Sequence, residues 1–298
     1  VAHHHHHDHG SGGRRDAFRL TVLLNGGLSG LQIVVGIAFG SIALIGDALH
    51  NLGDVAGLLL GWGAEHLSRR PPTERFSYGF GRSTQLAAVS NAVLILMASA
   101  VVCVEAIQRF GRPEPLVAGP VAWAASAGLV VNLVSARLFG HHHQHDLNRR
   151  AAVLHLLSDA AVSAAVLLSA LLAGATGWTW LDPLTGLGVG LSVAWLGVRL
   201  LRDSLAESLD AVPNRIDADA VRETLRSLGA VEALHHLHIW SMGGSRVALT
   251  VHLVRPADHA WNDDRLLQEA NHALADLGIN HCTIQIESPA SPCAREGC

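Results

Sequence analysis

Apolar residues in this chain gather into six long runs separated by short polar stretches, and the pattern changes near residue 203. The runs fall at 17–39, 42–66, 83–108, 117–139, 150–174 and 180–202. Each is long enough for the roughly 20 residues that a helix needs to cross a hydrocarbon core. The pattern therefore predicts a multi-pass α-helical membrane protein with six transmembrane helices over residues 17–202. Beyond residue 203 the periods are those of a water-exposed domain. Residues 217–228 open with acidic groups and read as a helix. Residues 231–240 and 245–254 read as strands joined across Met242-Gly243-Gly244. Residues 262–277 return to helical spacing, and 281–287 alternate strictly. That order predicts a C-terminal α+β domain over 203–288, like a ferredoxin fold lacking its first strand. About 85 residues bury only a modest core, which favours dimerisation. Residues 1–16 make a His-rich N-terminal segment and 289–298 a C-terminal tail.

Charge placement orients the helices. Arg14, Arg15, Arg19, Arg69, Arg70, Arg75, Arg82, Arg137, Arg149, Arg150, Arg199 and Arg202 fall on one side of the predicted spans, and only Arg109 and Arg112 on the other. Arginine-rich connections stay inside, so both termini are expected to be cytoplasmic. Composition agrees with a membrane protein: 49% of the 298 residues are hydrophobic and 15% charged, against about 25% charged in soluble chains. The net charge of −4 argues against nucleic acid as a partner. All 21 basic residues are Arg. Without Lys there is no phosphate loop of the GxxxxGK[ST] type and no Lys-containing phosphorylation motif of an ion-pumping ATPase, so no nucleotide partner is expected. Cys103, Cys282, Cys293 and Cys298 do not make a disulfide framework.

The candidate chemistry lies inside the membrane. His50 and Asp54 stand four residues apart in the second run, and His155 and Asp159 repeat that spacing in the fifth. An i, i+4 pair shares one helix face, so each helix can aim an imidazole and a carboxylate at one point. The bland alternative has the histidines bonded to backbone and the aspartates capping or paired with Arg. Two pairs of identical spacing, one in each half of the helical region, weigh against it, because ionisable groups at membrane depth are costly. Two carboxylates neutralise a divalent ion and two neutral imidazoles complete the tetrahedron that zinc prefers; Co2+, Fe2+ or Mn2+ could use the same set. Asp47, one turn before His50, reads as a helper near the helix start or a partner of the ligands. Metal binding expels protons from histidines, whose ordinary pKa is about 6.5. Moving a divalent ion outward against 100 mV costs about 4.6 kcal/mol. Inward proton flow through the same ligands is the cheapest coupling.

These residues also carry a resemblance. The stretch from Ser41 to Asp54 resembles the second transmembrane helix of the cation diffusion facilitator family, and Phe76 to Arg82 its loop into helix three. His155 to Asp159, Leu181 to Leu184, Leu209 to Pro213, His238-Ile239-Trp240 and Thr283 to Glu287 match as well. The resemblance covers residues 17–288. It implies a homodimer with a cytoplasmic ferredoxin-like domain, exporting Zn2+ from the cytoplasm in exchange for H+ by alternating access, in a bacterial inner membrane. His50, Asp54, His155 and Asp159 correspond to the transport site, in the pattern of the zinc-preferring branch; Co2+, Cd2+ or Fe2+ are the alternative cargo. In the cytoplasmic domain the resemblance implies a zinc site of His235, His252, His281 and Glu287 at the dimer interface, structural or regulatory. Its bland alternative is a polar face turned to water.

Further features follow from the same comparison. No metal site is expected in the loop at 66–82, where Phe76 and Phe80 stand in place of histidines that some bacterial members carry, and Gln85 replaces a common acidic residue. His141, His142, His143 and His145 resemble the family's His-rich loop; His3 to His7 and His9 read either as a like segment or as a tag. Cys293 and Cys298 are spaced too widely for Cys-x-x-Cys. Two rival classes remain. An intramembrane metalloenzyme would want a His-Glu-x-x-His and an open coordination position, so enzymatic activity is not expected. A membrane-anchored metal sensor leaves the two intramembrane pairs unexplained.

Overall fold

The computed structural model describes residues 11–112, 114–140, 147–256 and 262–289. It divides into two compact units, Val1–Leu60 with Ser90–Leu200, and Gly61–Val89 with Leu201–Cys298. Among the described residues six helices are long and apolar enough to span a bilayer: α1 (Ser11–Phe39), α2 (Ile42–Ser68), α3 (Ser83–Gly111), α4 (Ala118–Gly140), α5 (Leu147–Thr176) and α6 (Leu181–Ser208). The chain is an integral membrane protein. Several helices overrun the apolar stretches, α3 ending at Gly111 rather than 108 and α6 ending at Ser208 rather than 202. Hydropathy marks only the length inside hydrocarbon, whereas backbone hydrogen bonding carries a helix on into wet residues.

Packing in the first unit is inverted relative to a soluble protein. Large apolar side chains such as Leu23, Ile37, Val101, Trp123 and Trp195 point outward, while Ala43, Ala92, Ala106, Ala124, Ala125 and Ala170 are buried. Small residues let helices approach closely where lipid supplies no hydrophobic drive between them. Gly186 of α6 illustrates this: a Cβ there would lie 3.2 Å from the backbone nitrogen of Ala43. Asp182, in the first turn of α6, completes the start of α2. It accepts from Ser41 Oγ at 2.6 Å and from the Ile42 amide at 2.7 Å, satisfying a helix-terminal donor that has no partner within its own helix.

The second unit holds α7 (Ala218–Ser227), β1 (Ala233–Gly243), β2 (Arg246–Val254), α8 (Asp263–Asp276) and β3 (His281–Glu287). Asp217 and Asn262 cap the two helices, each side chain accepting from backbone amides of the first turn. The sheet runs β1-β2-β3, with β1 antiparallel to β2 and β2 parallel to β3. A full ferredoxin fold has a strand between the two parallel ones. Here that strand is missing, and β2 and β3 pair directly through the α8 crossover that a parallel pair requires. Val221, Leu225, Ala270 and Leu274 of the helices bury against Ile239, Val247, Leu249, Val251 and Leu253 of the sheet.

Candidate metal centres

In the first unit α2 and α5 bring all four predicted transport residues together. Nε2 of His50 lies 3.1 Å from Oδ1 of Asp159 and 3.9 Å from Oδ2 of Asp54. Nε2 of His155 lies 3.4 Å from Oδ2 of Asp54 and 3.7 Å from Oδ2 of Asp159. Each histidine is nearer the aspartate of the other helix than its own. A tetrahedron of ligands about 2.0–2.1 Å from a metal has edges of about 3.3 Å, so these four separations bracket what one zinc ion needs. The side chains of His50 and Asp159 are 10% and 5% exposed, whereas Asp54 is 33% and His155 50% exposed. The site is therefore closed toward the N-terminal end of α2 and open toward the N-terminal end of α5.

Asp47 belongs to the closed side. It is fully buried, and its Oδ2 accepts from Ser163 Oγ of α5 at 2.9 Å. Gln32 of α1 approaches the same oxygen at 3.4 Å. None of the four transport residues hydrogen-bonds to Asp47 in the network described, so it adds a polar layer beside them.

The second unit gathers a different cluster. Cross-strand pairing sets His235 opposite His252 and His252 opposite Gln285. Glu287 is buried, with Oε2 3.2 Å from His235 Nε2 and Oε1 2.7 Å from His252 Nδ1. Gln285 Nε2 donates to Oε1 of Glu287 at 2.9 Å and orients the carboxylate. His236 joins them. The β1–β2 register slips between His235 and His238, and His236 takes φ 51°. This bulge turns its ring to lie 5.1 Å from that of His235 and 4.9 Å from that of His252. Three imidazoles and a buried carboxylate are an N/O donor set that suits a zinc-like ion.

His281 does not enter this cluster within the chain. It pairs with Ala248, whereas Glu287 pairs with Val254 at the other end of β3. At about 3.3 Å per residue the two are roughly 20 Å apart. The ring of His281 instead meets Tyr78 edge-on at 5.7 Å. Alternation put His281 and Glu287 on one face correctly but says nothing about distance along the strand. His236 was missed for the converse reason, since alternation sends neighbours of His235 to the opposite face and only the bulge reverses that. The adjacent His235-His236 was the available signal. His141, His142, His143, His145, the N-terminal histidines, Cys293 and Cys298 lie outside the described residues.

Residues 19–207 match the family model described as the cation efflux transmembrane domain, and residues 213–289 that of the cation efflux protein, cytoplasmic domain. The zinc transporter ZitB of Escherichia coli (strain K12) is 39% identical over 272 residues, 90% of this chain and 85% of that protein. The metal cation efflux system protein CzcD of Cupriavidus metallidurans is 33% identical over 287 residues, 95% of this chain and 89% of its own. A cadmium, cobalt and zinc/H(+)-K(+) antiporter of Bacillus velezensis is 30% identical over 285 residues, 95% and 91% of the two chains.

Proposed function

This chain belongs to the cation efflux family, the cation diffusion facilitators, and on that premise we propose that it exports Zn2+ from the cytoplasm in exchange for protons through His50, Asp54, His155 and Asp159. The observation that carries the reading is the cross-paired square of two imidazole nitrogens and two carboxylates, with edges of 3.1 to 3.9 Å. Zinc enters from the exposed side, past His155 and Asp54, which the arginine distribution assigns to the cytoplasm. The carboxylates balance its charge, and each imidazole must give up any proton before it donates a lone pair. When the site opens outward, protons reclaim the histidines and zinc leaves. The names of two relatives, a zinc transporter and a zinc/H(+)-K(+) antiporter, support both cargo and coupling. Cd2+ and Co2+ are the second reading, supported by the cadmium and cobalt in the latter name.

The protein is proposed to work as a homodimer in a bacterial inner membrane with both termini cytoplasmic, joined through the domain that starts near residue 213. His235, His236, His252 and Glu287 are proposed to hold a resident zinc ion that supports the dimer. The test is zinc uptake into liposomes holding the purified protein. A pH gradient should accelerate uptake, and Asp54→Ala or Asp159→Ala should reduce it by more than about 100-fold. Uptake indifferent to the gradient removes the exchange, and wild-type uptake by either variant removes the site.

A further inference from the structure

Asp47 lies one helical turn from His50, on the closed side of the transport site, and has no exposed surface. Four helices contribute to its surroundings. Ser163 of α5 donates to its Oδ2 at 2.9 Å, and Gln32 of α1 reaches both that oxygen and the Ala124 carbonyl of α4 at 3.4 Å. Gly128 of α4 makes room for them: a Cβ there would stand 2.7 Å from Gln32 Nε2 and 3.2 Å from Ser163 Oγ.

Donors and acceptors in this group do not balance. Oδ1 of Asp47 and Oε1 of Gln32 are both buried without a hydrogen-bond partner. Orphaned acceptors are costly in a membrane interior, and what these two lack is a donor. Among the described residues no arginine donates to either of them. Arg19 of α1 and Arg137 of α4 are the nearest on those helices, each about 20 Å along its helix from this level. Among the described residues the ionisable groups that face Asp47 are His50 on its own helix and Asp159 on α5.

We propose that Asp47 is a proton-binding site of the exchange, separate from the metal ligands and shared with Gln32. One hydrogen ion on this carboxyl neutralises it and provides the donor that both orphaned acceptors need. A divalent ion one turn away favours the ionised carboxylate, so zinc binding expels that proton. By reciprocity a proton on Asp47 weakens zinc binding. The proposal rests on the exchange reading above and adds to it a counted proton that does not come from a ligand.

The experiment measures hydrogen ions released per zinc bound by the purified full-length protein, in weakly buffered detergent solution near neutral pH. The visible spectrum of the Co2+-loaded protein reports whether the tetrahedral site is intact. Asp47→Asn keeps shape and hydrogen-bonding atoms but cannot ionise. Its cobalt spectrum should match wild type while the count of protons per zinc falls, by an amount that grows toward one as the pH is lowered. An unchanged count at full zinc occupancy overturns the proposal. Wild-type protein that releases no protons, with flux indifferent to a pH gradient, removes the exchange reading and this site with it. Ser163→Ala is the second measurement should the Asn variant fail to assemble. Removing a donor from the carboxylate makes it hold its proton more tightly, so the pH midpoint of zinc binding should move upward. A midpoint that stays or falls overturns the assignment.

Discussion

His236 holds a left-handed backbone at φ 51° without being glycine. Such a conformation costs on the order of 1 kcal/mol and persists where the surroundings demand it. At this residue the demand is a ring brought beside His235 and His252. His236→Gly should therefore act in two directions. Without zinc the cytoplasmic domain should gain up to about 1 kcal/mol, while the stabilisation that zinc confers should shrink; thermal unfolding with and without zinc measures both. Glu287→Gln should keep the fold and lower the zinc bound per chain, read by metal analysis. The meeting of His50, Asp54, His155 and Asp159 was legible because a spacing of four puts both members of a pair on one helix face. That His236 joins His235 and His252, and that His281 lies at the far end of β3 from Glu287, was not legible, because strand alternation gives a face and neither a bulge nor a position along the strand.

At the scale of elements, the start of α2 depends on α6. Asp182→Ala leaves the Ser41 hydroxyl and the Ile42 amide without their acceptor. That should destabilise the helical unit by about 1–2 kcal/mol, visible as a lower melting temperature in detergent, with Asp182→Asn intermediate. Nothing in a hydropathy pattern points to this bond, because its partners are 140 residues apart. The six helices themselves were readable from runs of apolar residues, and their ends were less so because hydropathy fades before the hydrogen-bond ladder does. In the sheet, the element order was visible from periodicity. The direct parallel pairing of β2 with β3 was not, since the order of elements does not say whether the gap left by a missing strand closes.

For the whole molecule, a resident zinc that binds the dimer better than the monomer must favour the dimer by mass action. Free zinc at 100 times its dissociation constant would add about 2.7 kcal/mol. Sedimentation of the detergent-solubilised protein should show dimer rising with zinc, and Glu287→Gln should flatten that response. Asp182 has a consequence for biogenesis as well. Ile42 leaves the ribosome 140 residues ahead of the carboxylate that receives its amide. Until the first turn of the last span has been synthesised, the opening turn of the second lacks the carboxylate that receives the Ser41 hydroxyl and the Ile42 amide. Insertion of α6 thus finishes a helix begun long before it, and nascent chains that stop short of residue 182 enter the bilayer with that turn frayed.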